Sequence, residues 1–462
     1  MKIVKMSLAA AVLVGASAFA IDNVKVSGDA QVFYSTSDAK GQLSNVAGGK
    51  AVTDNGSLFS KDSSAADAGL NLNLSADLAK NSLVTVSAGA GYTVLSTLGL
   101  ENNLVSNVWG GAHTATAGTG ASYGQVDALN GAKVENANWM NEAWVALSLN
   151  AMSKSTVKVG RMELDTPLAF TEKWSIEKNT FEAAVLINQD IPDTTLVGAY
   201  VGNGNGNERL GQDLRSNVST GVGVPVGNQT LAVGSVVNKN GEFATYGLNG
   251  AYAAGVINNS WKPLTAQAWY YDVSRVANAY WLQADLDAAK LGLAGLTLGA
   301  QYTSATNETA LSITSAQKDA SSTFAAKIGY GMKDLFNASV AYSTVGDNGY
   351  VGAANTATGT GASKLYTEAW WNYGQVTKMG AKSWNVTVTS PVAGLFDAGL
   401  YITTADQKNL GQDMTEVAVT AGKKFGPLDA TLAYINSSFN NKTNGSGLQD
   451  SNMVQAYLTL NF

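Results

Sequence analysis

The last nine residues, Val454 to Phe462 (VQAYLTLNF), constrain the fold more than any other stretch of the chain. Val454, Ala456, Leu458, Leu460 and Phe462 alternate with Gln455, Tyr457, Thr459 and Asn461. A period of two gives a β-strand one greasy and one wet face. The chain stops on an aromatic residue that belongs to the greasy face. A soluble sandwich rarely ends its last strand so, whereas an outer-membrane barrel closes on such a strand, with lipid outside and water inside. Leu458, Leu460 and Phe462 are thus expected to close the barrel and to be the signal read by barrel-assembly machinery.

The same alternation recurs along the chain. Leu70, Leu72 and Leu74 alternate with Asn71, Asn73 and Ser75. Tyr280, Leu282, Ala284 and Leu286 alternate with Trp281, Gln283, Asp285 and Asp287. Leu428, Ala430, Leu432 and Tyr434 alternate with Asp429 and Thr431, and no helical period competes. Short links fall near 78–82, 150–155, 190–193, 256–262, 288–293, 332–335, 391–395 and 424–427. Long polar links fall near 35–65, 96–138, 164–180, 204–243, 304–321, 347–366, 405–412 and 438–450, with a tighter one near 273–277. Short turns on one rim and long loops on the other form the outer-membrane pattern. Eight turns and nine loops separate eighteen strands, with sixteen as the second count. A further hairpin would have to hide in 216–240 or 364–380. Pro192, Pro263, Pro391 and Pro427 fall in or beside short turns, and Pro167 and Pro225 in long loops, so no proline interrupts a predicted strand.

Compartment and composition agree with an all-β transmembrane antiparallel barrel. Lys2 and Lys5 precede a short apolar core, Met6 to Phe19, and Ala18-Phe19-Ala20 fits small-x-small cleavage. Residues 1–20 read as a secretory signal and 21–462 as one barrel in the bacterial outer membrane. Only 14% of residues are charged, against about 25% in soluble proteins. Cysteine is absent, so no disulfide framework holds the exported chain and the backbone hydrogen-bond network must. Removing Lys2 and Lys5 takes Lys+Arg from 29 to 27 against 35 acids, a net charge of −8. That balance disfavours nucleic acid and mildly favours cations in any pore.

Side chains on the wet phase are expected to line the pore: Lys158, Asp285, Lys327 and Glu416. Arg or Lys facing lipid at mid-membrane would cost about 2–4 kcal/mol, whereas in the lumen the charge stays hydrated. Trp139, Trp144, Trp261, Trp269, Tyr270, Tyr271, Tyr280, Trp281, Tyr302, Trp384 and Tyr434 lie mostly towards strand ends, where barrels place interfacial rings.

No catalytic constellation is legible. His113 is the one histidine, in a Gly/Ala/Thr-rich loop, so zinc, triad and dyad arrangements are not available. Gly202-Asn203-Gly204-Asn205-Gly206 lacks the Lys-Ser/Thr of a phosphate loop and reads as a flexible outer loop. Asp and Asn clusters would hold calcium at most weakly, and no twelve-residue calcium loop is present, so no cofactor is expected.

What remains is selectivity. An open eighteen-stranded bore would pass too much, so a loop is expected to fold inward. The best segment is Leu164 to Thr180 (LDTPLAFTEKWSIEKNT), which carries Asp165, Glu172, Lys173, Glu177 and Lys178, with Phe170 and Trp174 to pin it to the wall. Opposed charges across a narrow, low-dielectric bore order water and sort solutes.

The same region carries a resemblance. Val159-Gly160-Arg161-Met162-Glu163-Leu164-Asp165-Thr166-Pro167-Leu168, Asn179-Thr180-Phe181-Glu182-Ala183 and Pro192-Asp193-Thr194-Thr195-Leu196 resemble the OprD-type porins, and more closely the major outer membrane porins of epsilon-class proteobacteria. The resemblance implies an eighteen-stranded diffusion channel, often a homotrimer, narrowed by its third long loop, here residues 164–180. It also implies that Arg161, Glu163 and Asp165 sit near the eyelet. Carboxylate-selective members line the pore with arginines, whereas this chain has four: Arg161, Arg209, Arg215 and Arg275. Met162 stands where the family pattern often has Gln.

These readings converge on a channel for small hydrophilic solutes and ions, mildly cation-preferring and not an enzyme. The competing class is a surface adhesin or surface-layer subunit, equally rich in Gly, Ala, Thr and Asn. Such a protein has no need of an even hairpin count with an aromatic terminus.

Overall fold

The structure is a computed structural model that describes residues 21–38, 57–59, 64–96, 137–151, 153–173, 176, 178–206, 223–226, 229–232, 243–247, 249–274, 276–307, 320–347, 353–357, 361–407, 412–441 and 450–462. His113, Trp174, Glu177, Arg209, Arg215 and Arg275 lie outside them, as does the expected signal segment 1–20. The strands are β1 (Asp22–Ser37), β2 (Ser64–Lys80), β3 (Val84–Ser96), β4 (Ala137–Leu149), β5 (Ser155–Met162), β6 (Phe181–Asn188), β7 (Thr194–Gly204), β8 (Gly223–Val226), β9 (Gln229–Ala232), β10 (Ala244–Thr245), β11 (Ala251–Asn258), β12 (Leu264–Val273), β13 (Ala277–Asp287), β14 (Leu296–Asn307), β15 (Ser321–Met332), β16 (Phe336–Val345), β17 (Ala381–Val392), β18 (Phe396–Gln407), β19 (Gln412–Phe425), β20 (Leu428–Asn441) and β21 (Ser451–Asn461).

Eighteen of these, β1–β7 and β11–β21, build a closed antiparallel barrel. Each pairs with its sequence neighbour, and β1 pairs with both β2 and β21. Closure is in register: Ala30 opposes Leu460, Val32 opposes Leu458, and Gly28 and Phe462 exchange backbone hydrogen bonds of 2.9 and 3.0 Å. The terminal Phe462 therefore completes the ladder to β1, and no sheet edge is left open there. β10 adds two residues to the ladder on β7, at Asn203 and Gly204.

Sixteen strands, the second count, is excluded. The hairpin sought in 216–240 exists as β8–β9, but it pairs only with itself. The segment 364–380 holds no hairpin; its regular part is a 3-10 turn at Tyr373–Gln375. All eight short turns fall where the alternation breaks. Pro391 departs slightly from expectation, as the penultimate residue of β17 opposite Asp397, and Pro225 lies within β8, outside the barrel wall.

The barrel is inside-out. Asn71, Thr93, Gln301, Thr323, Ser343, Asn385 and Gln455 are buried, whereas Leu70, Val145, Leu282, Val340, Leu432 and Leu458 are exposed. A soluble sandwich would show the reverse. Here polar side chains face a lumen and apolar ones face outward, as lipid requires.

The aromatic set divides. Tyr270, Tyr280, Tyr302, Trp384 and Tyr434 face outward near the loop ends of their strands, and Trp261 is exposed in a turn. Outward rings pair across strands: Tyr280 with Tyr302 at 5.9 Å and Tyr342 with Trp384 at 4.8 Å. Trp139, Trp269, Tyr271 and Trp281 are instead buried in the lumen, against the expectation of an interfacial girdle. Trp144 shares that face, under Lys158 at 4.0 Å. These rings are lumenal because the loops fold in against them.

Candidate pore constriction

Two loops enter the lumen. The first, residues 163–180, leaves β5 and makes a tight reversal. Asp165 bridges Phe170, Thr166 N–H donates to Ala169 O at 3.2 Å, and Thr171 N–H donates to Leu164 O at 2.7 Å. Pro167, at the corner, gives up no hydrogen bond there. The reversal carries Leu168 across to the far wall, where it packs with Trp269, Tyr271, Trp281 and Leu365. Further on, Ile176 is fully buried, and its carbonyl accepts from Asn71 of β2 at 3.4 Å. The loop thus spans the bore from β2 to β12.

The second loop, residues 346–380, covers the opposite arc. Tyr366 O–H donates to Asp285 of β13 at 2.6 Å, and Gln301 of β14 donates to Lys364 O at 2.8 Å. The Tyr366 ring lies flat on Gly299, where a Cβ would meet it at 2.6 Å, with the Lys327 ammonium 4.2 Å from its centroid. Glu416 of β19 accepts from Trp371 N–H at 3.0 Å, Asn372 N–H at 2.9 Å and Asn372 Nδ2 at 2.7 Å. The loops meet at Asn355, whose side chain accepts from Phe170 N–H at 3.1 Å and donates to Phe170 O at 2.9 Å and Glu172 Oε1 at 2.8 Å. They meet again where Lys364 Nζ pairs with Asp165 at 2.7 Å.

Charge in the first loop is organised around Lys178. It pairs with Glu142 of β4 at 2.8 Å and with Glu163, which also pairs with Lys173. Burial pushes the Glu163 carboxyl up, but Lys178 and Lys173 outweigh it and hold it below its ordinary value. Burial likewise pushes the Lys178 amine down, but Glu163 and Glu142 outweigh it and hold it above its ordinary value. Both groups are ionised at neutral pH.

The expected constriction residues therefore divide. Glu163, Asp165, Lys173 and Lys178 come together on the lumenal loop, and Asp165 is the most open, its side chain 82% exposed. Lys158, Asp285 and Lys327 hold lumenal positions against Trp144 and Tyr366. Arg161 does not. It shares the phase of Val157 and Val159, which are 41% and 52% exposed on the outer face. At the loop rim Arg161 pairs with Glu182 at 2.8 Å, donates to Met140 O at 3.0 Å and lies 4.1 Å from the Phe243 centroid. β-Alternation forces this, because Lys158 and Gly160 take the inner phase of the same strand.

Glu172 and Glu416 face the lumen but not open water. Glu172 is 3% exposed beneath Asn355, and Glu416 is 1% exposed beneath the second loop. Each is a clamp on a loop rather than a free pore-lining charge. Gly202-Asn203-Gly204-Asn205-Gly206 is likewise no flexible outer loop. Its first three residues end β7, and Asn205 Oδ1 accepts from Thr180 N–H at 2.7 Å, fixing the exit of the first loop. The polar composition of 347–366 points to an outer loop, whereas the structure folds its described residues inward. The signal for this was Trp370-Trp371-Asn372-Tyr373, an aromatic density that a solvated loop has no use for.

No protein-family profile and no curated protein matches the chain by sequence. Solved structures do. Pseudomonas aeruginosa OpdK, crystallised with vanillate, matches at a TM-score of 0.64 and 14% identity, over 95% of this chain and 98% of that one. Acinetobacter baumannii OccAB1 matches at 0.64 and 13% identity, over 95% and 96%. Pseudomonas aeruginosa OccK9 (OpdG) matches at 0.64 and 12% identity, over 95% and 99%. At such identities the likeness establishes the shared fold.

Proposed function

We propose that the chain is an outer-membrane porin of the OprD type. It forms a water-filled passage for passive diffusion of small hydrophilic solutes and ions, with a mild preference for cations and no enzymatic activity. The observation that carries this reading is the polar lumen crossed by two docked loops, with paired charges left at the gap between them. An adhesin has no use for a hydrated interior, so passage is the better account. OpdK was crystallised with vanillate, a carboxylate. Carboxylate specificity is not proposed here, because Arg161, the described arginine, faces away from the bore. Support for cation preference is the excess of 35 acids over 29 bases.

Glu163, Asp165, Lys173 and Lys178 form the constriction in this reading, with Lys158, Asp285 and Lys327 along the wall. Removal of residues 1–20 on export, recognition of Phe462 by barrel-assembly machinery and assembly as a homotrimer belong to the same proposal. The test is planar-bilayer recording of refolded protein under a salt gradient. Discrete conductance steps with a cation-signed reversal potential are expected. Membrane insertion without conductance would overturn the reading, and an anion-signed potential would overturn its charge selectivity.

A further inference from the structure

The second inward loop is tethered as a movable part. Its base is pinched where Gly380 N–H donates to Gly346 O at 3.0 Å. Gly380 has φ 73° and Gly361 has φ 79°, a left-handed backbone that glycine adopts readily, so the loop turns at its base and within it without strain. Its seam with the wall joins an apolar contact, Ala369 and Val376 on Ala405 and Met414, to polar contacts that are incompletely matched. Among the described residues, Ser383 Oγ of β17 and Gln407 Oε1 of β18 are buried without a hydrogen-bond partner. Each such atom disfavours the docked state relative to a hydrated, lifted one.

Glu368 sits in the middle of this seam. One carboxyl oxygen accepts from Ser363 Oγ, while the other, Oε1, is sealed from solvent with no donor among the described residues. Its backbone carbonyl accepts from Asn385 of β17 at 3.4 Å and Thr403 of β18 at 3.5 Å. The ionisable groups around it are acids and a phenol: Glu172 from the first loop, Glu416 from β19 and Tyr373 from its own loop. The nearby lysines are turned elsewhere, Lys364 to Asp165 and Lys378 to Gln375 at 2.8 Å. Among the described residues, an ionised Glu368 in this position would face two carboxylates and have no ion-pair partner. Burial pushes its carboxyl well above the ordinary value against its hydrogen bonds from Ser363, and Glu172 and Glu416 push the same way.

We infer that the stretch 361–380 of this loop is a proton-controlled gate: it stays docked and narrows the bore while Glu368 holds its proton, and lifts when that proton is lost. The inference rests on the porin reading. Because the docked carboxyl binds its proton more tightly than a free one, docking is favoured at low pH. That advantage declines as pH rises from the ordinary carboxylate value towards the raised one.

The test uses the full-length refolded barrel in planar bilayers, read across pH from acid to mildly alkaline. Wild type is expected to step from a smaller to a larger unit conductance as pH rises. Glu368→Gln, which keeps the shape and cannot ionise, is expected to stay at the smaller value throughout. A second variant pins the loop. Ser343 Oγ and Thr367 Oγ1 lie 2.6 Å apart across the seam, and the chain has no cysteine, so Ser343→Cys with Thr367→Cys offers a single disulfide. Oxidised, this variant is expected to lose the step, and reduction should restore it. A conducting wild type with no pH step, an unchanged step in Glu368→Gln, or an unchanged step in the oxidised pair would each overturn the gate while leaving the porin standing. Absence of conductance at every pH would instead remove the porin reading, and the gate with it.

Discussion

The two inward loops are held by the same kinds of contact in different proportions. Loop 163–180 is plugged into the wall by apolar side chains, with Leu168, Phe170 and Ile176 buried, and by an ion-pair network centred on Lys178. Loop 346–380 buries Leu365, Ala369 and Val376 too, but it leans more on hydrogen bonds, at Tyr366–Asp285 and at Glu416, and among the described residues polar atoms behind it are unmatched. Apolar burial carries no titrating group, whereas a polar seam competes directly with water. The first loop is therefore a fixed wall of the constriction and the second its adjustable part.

The sharpest way to break this contrast is to unplug the fixed loop. Leu168→Ala should weaken its docking by about 2–5 kcal/mol. Larger, noisier single-channel currents would show it, and unchanged currents would mean that Leu168 is not the anchor. Next comes Lys178→Met, which leaves Glu142 and Glu163 facing each other without their shared cation. Removing one partner of a buried pair costs about 3–5 kcal/mol, and part of that should apply to these partly exposed groups. The variant should also shift the reversal potential towards cations, and no shift would place the ion path elsewhere.

Gly299→Ala tests the adjustable loop. The new methyl would strike the Tyr366 ring, and overpacking of this kind costs about 1–3 kcal/mol. Higher conductance is expected with the barrel's heat resistance unchanged; conductance equal to wild type would show that Tyr366 does not hold the loop. The smallest effect belongs to Lys364→Met, which breaks the exposed bridge to Asp165. Such pairs contribute about 0–1 kcal/mol, so gating should barely change, and a large change would overturn the assignment of docking to the buried contacts.

The loops should also answer pH with opposite sign. Glu163 is held below its ordinary value of 4.5 by its lysines, so its contribution is present above that value and disappears as pH falls through the lowered one. Strong acid should loosen loop 163–180, visible as current noise that rises as pH falls below the ordinary carboxylate value. Quiet currents there would remove the Lys178 network as a tether.

The wall was legible because lipid and water impose a period of two on every spanning strand, and a loop interrupts it. The strand count, the turns and the closing role of Phe462 all follow from that one rule. The first loop was legible from its charge, but its anchors were not, since Leu168 in a Gly/Ala/Thr-rich chain looks like any loop leucine. Arg161 shows the reverse. Val157 and Val159 already marked its phase as outward, and family likeness pointed it inward; the alternation was the better guide. Glu416 lies on the polar phase of β19, yet nothing along that strand announces a loop overhead, because the contact joins residues 44 and 45 positions apart.

The account turns on where the bore is narrow, and cysteine scanning in a cysteine-free chain tests that directly. Asp165→Cys and Arg161→Cys would each be exposed to a charged, membrane-impermeant thiol reagent during single-channel recording. The structure predicts a stepwise fall in current for Asp165→Cys and none for Arg161→Cys. Blockade at Arg161→Cys with no effect at Asp165→Cys would contradict it, placing the constriction on the other face of β5.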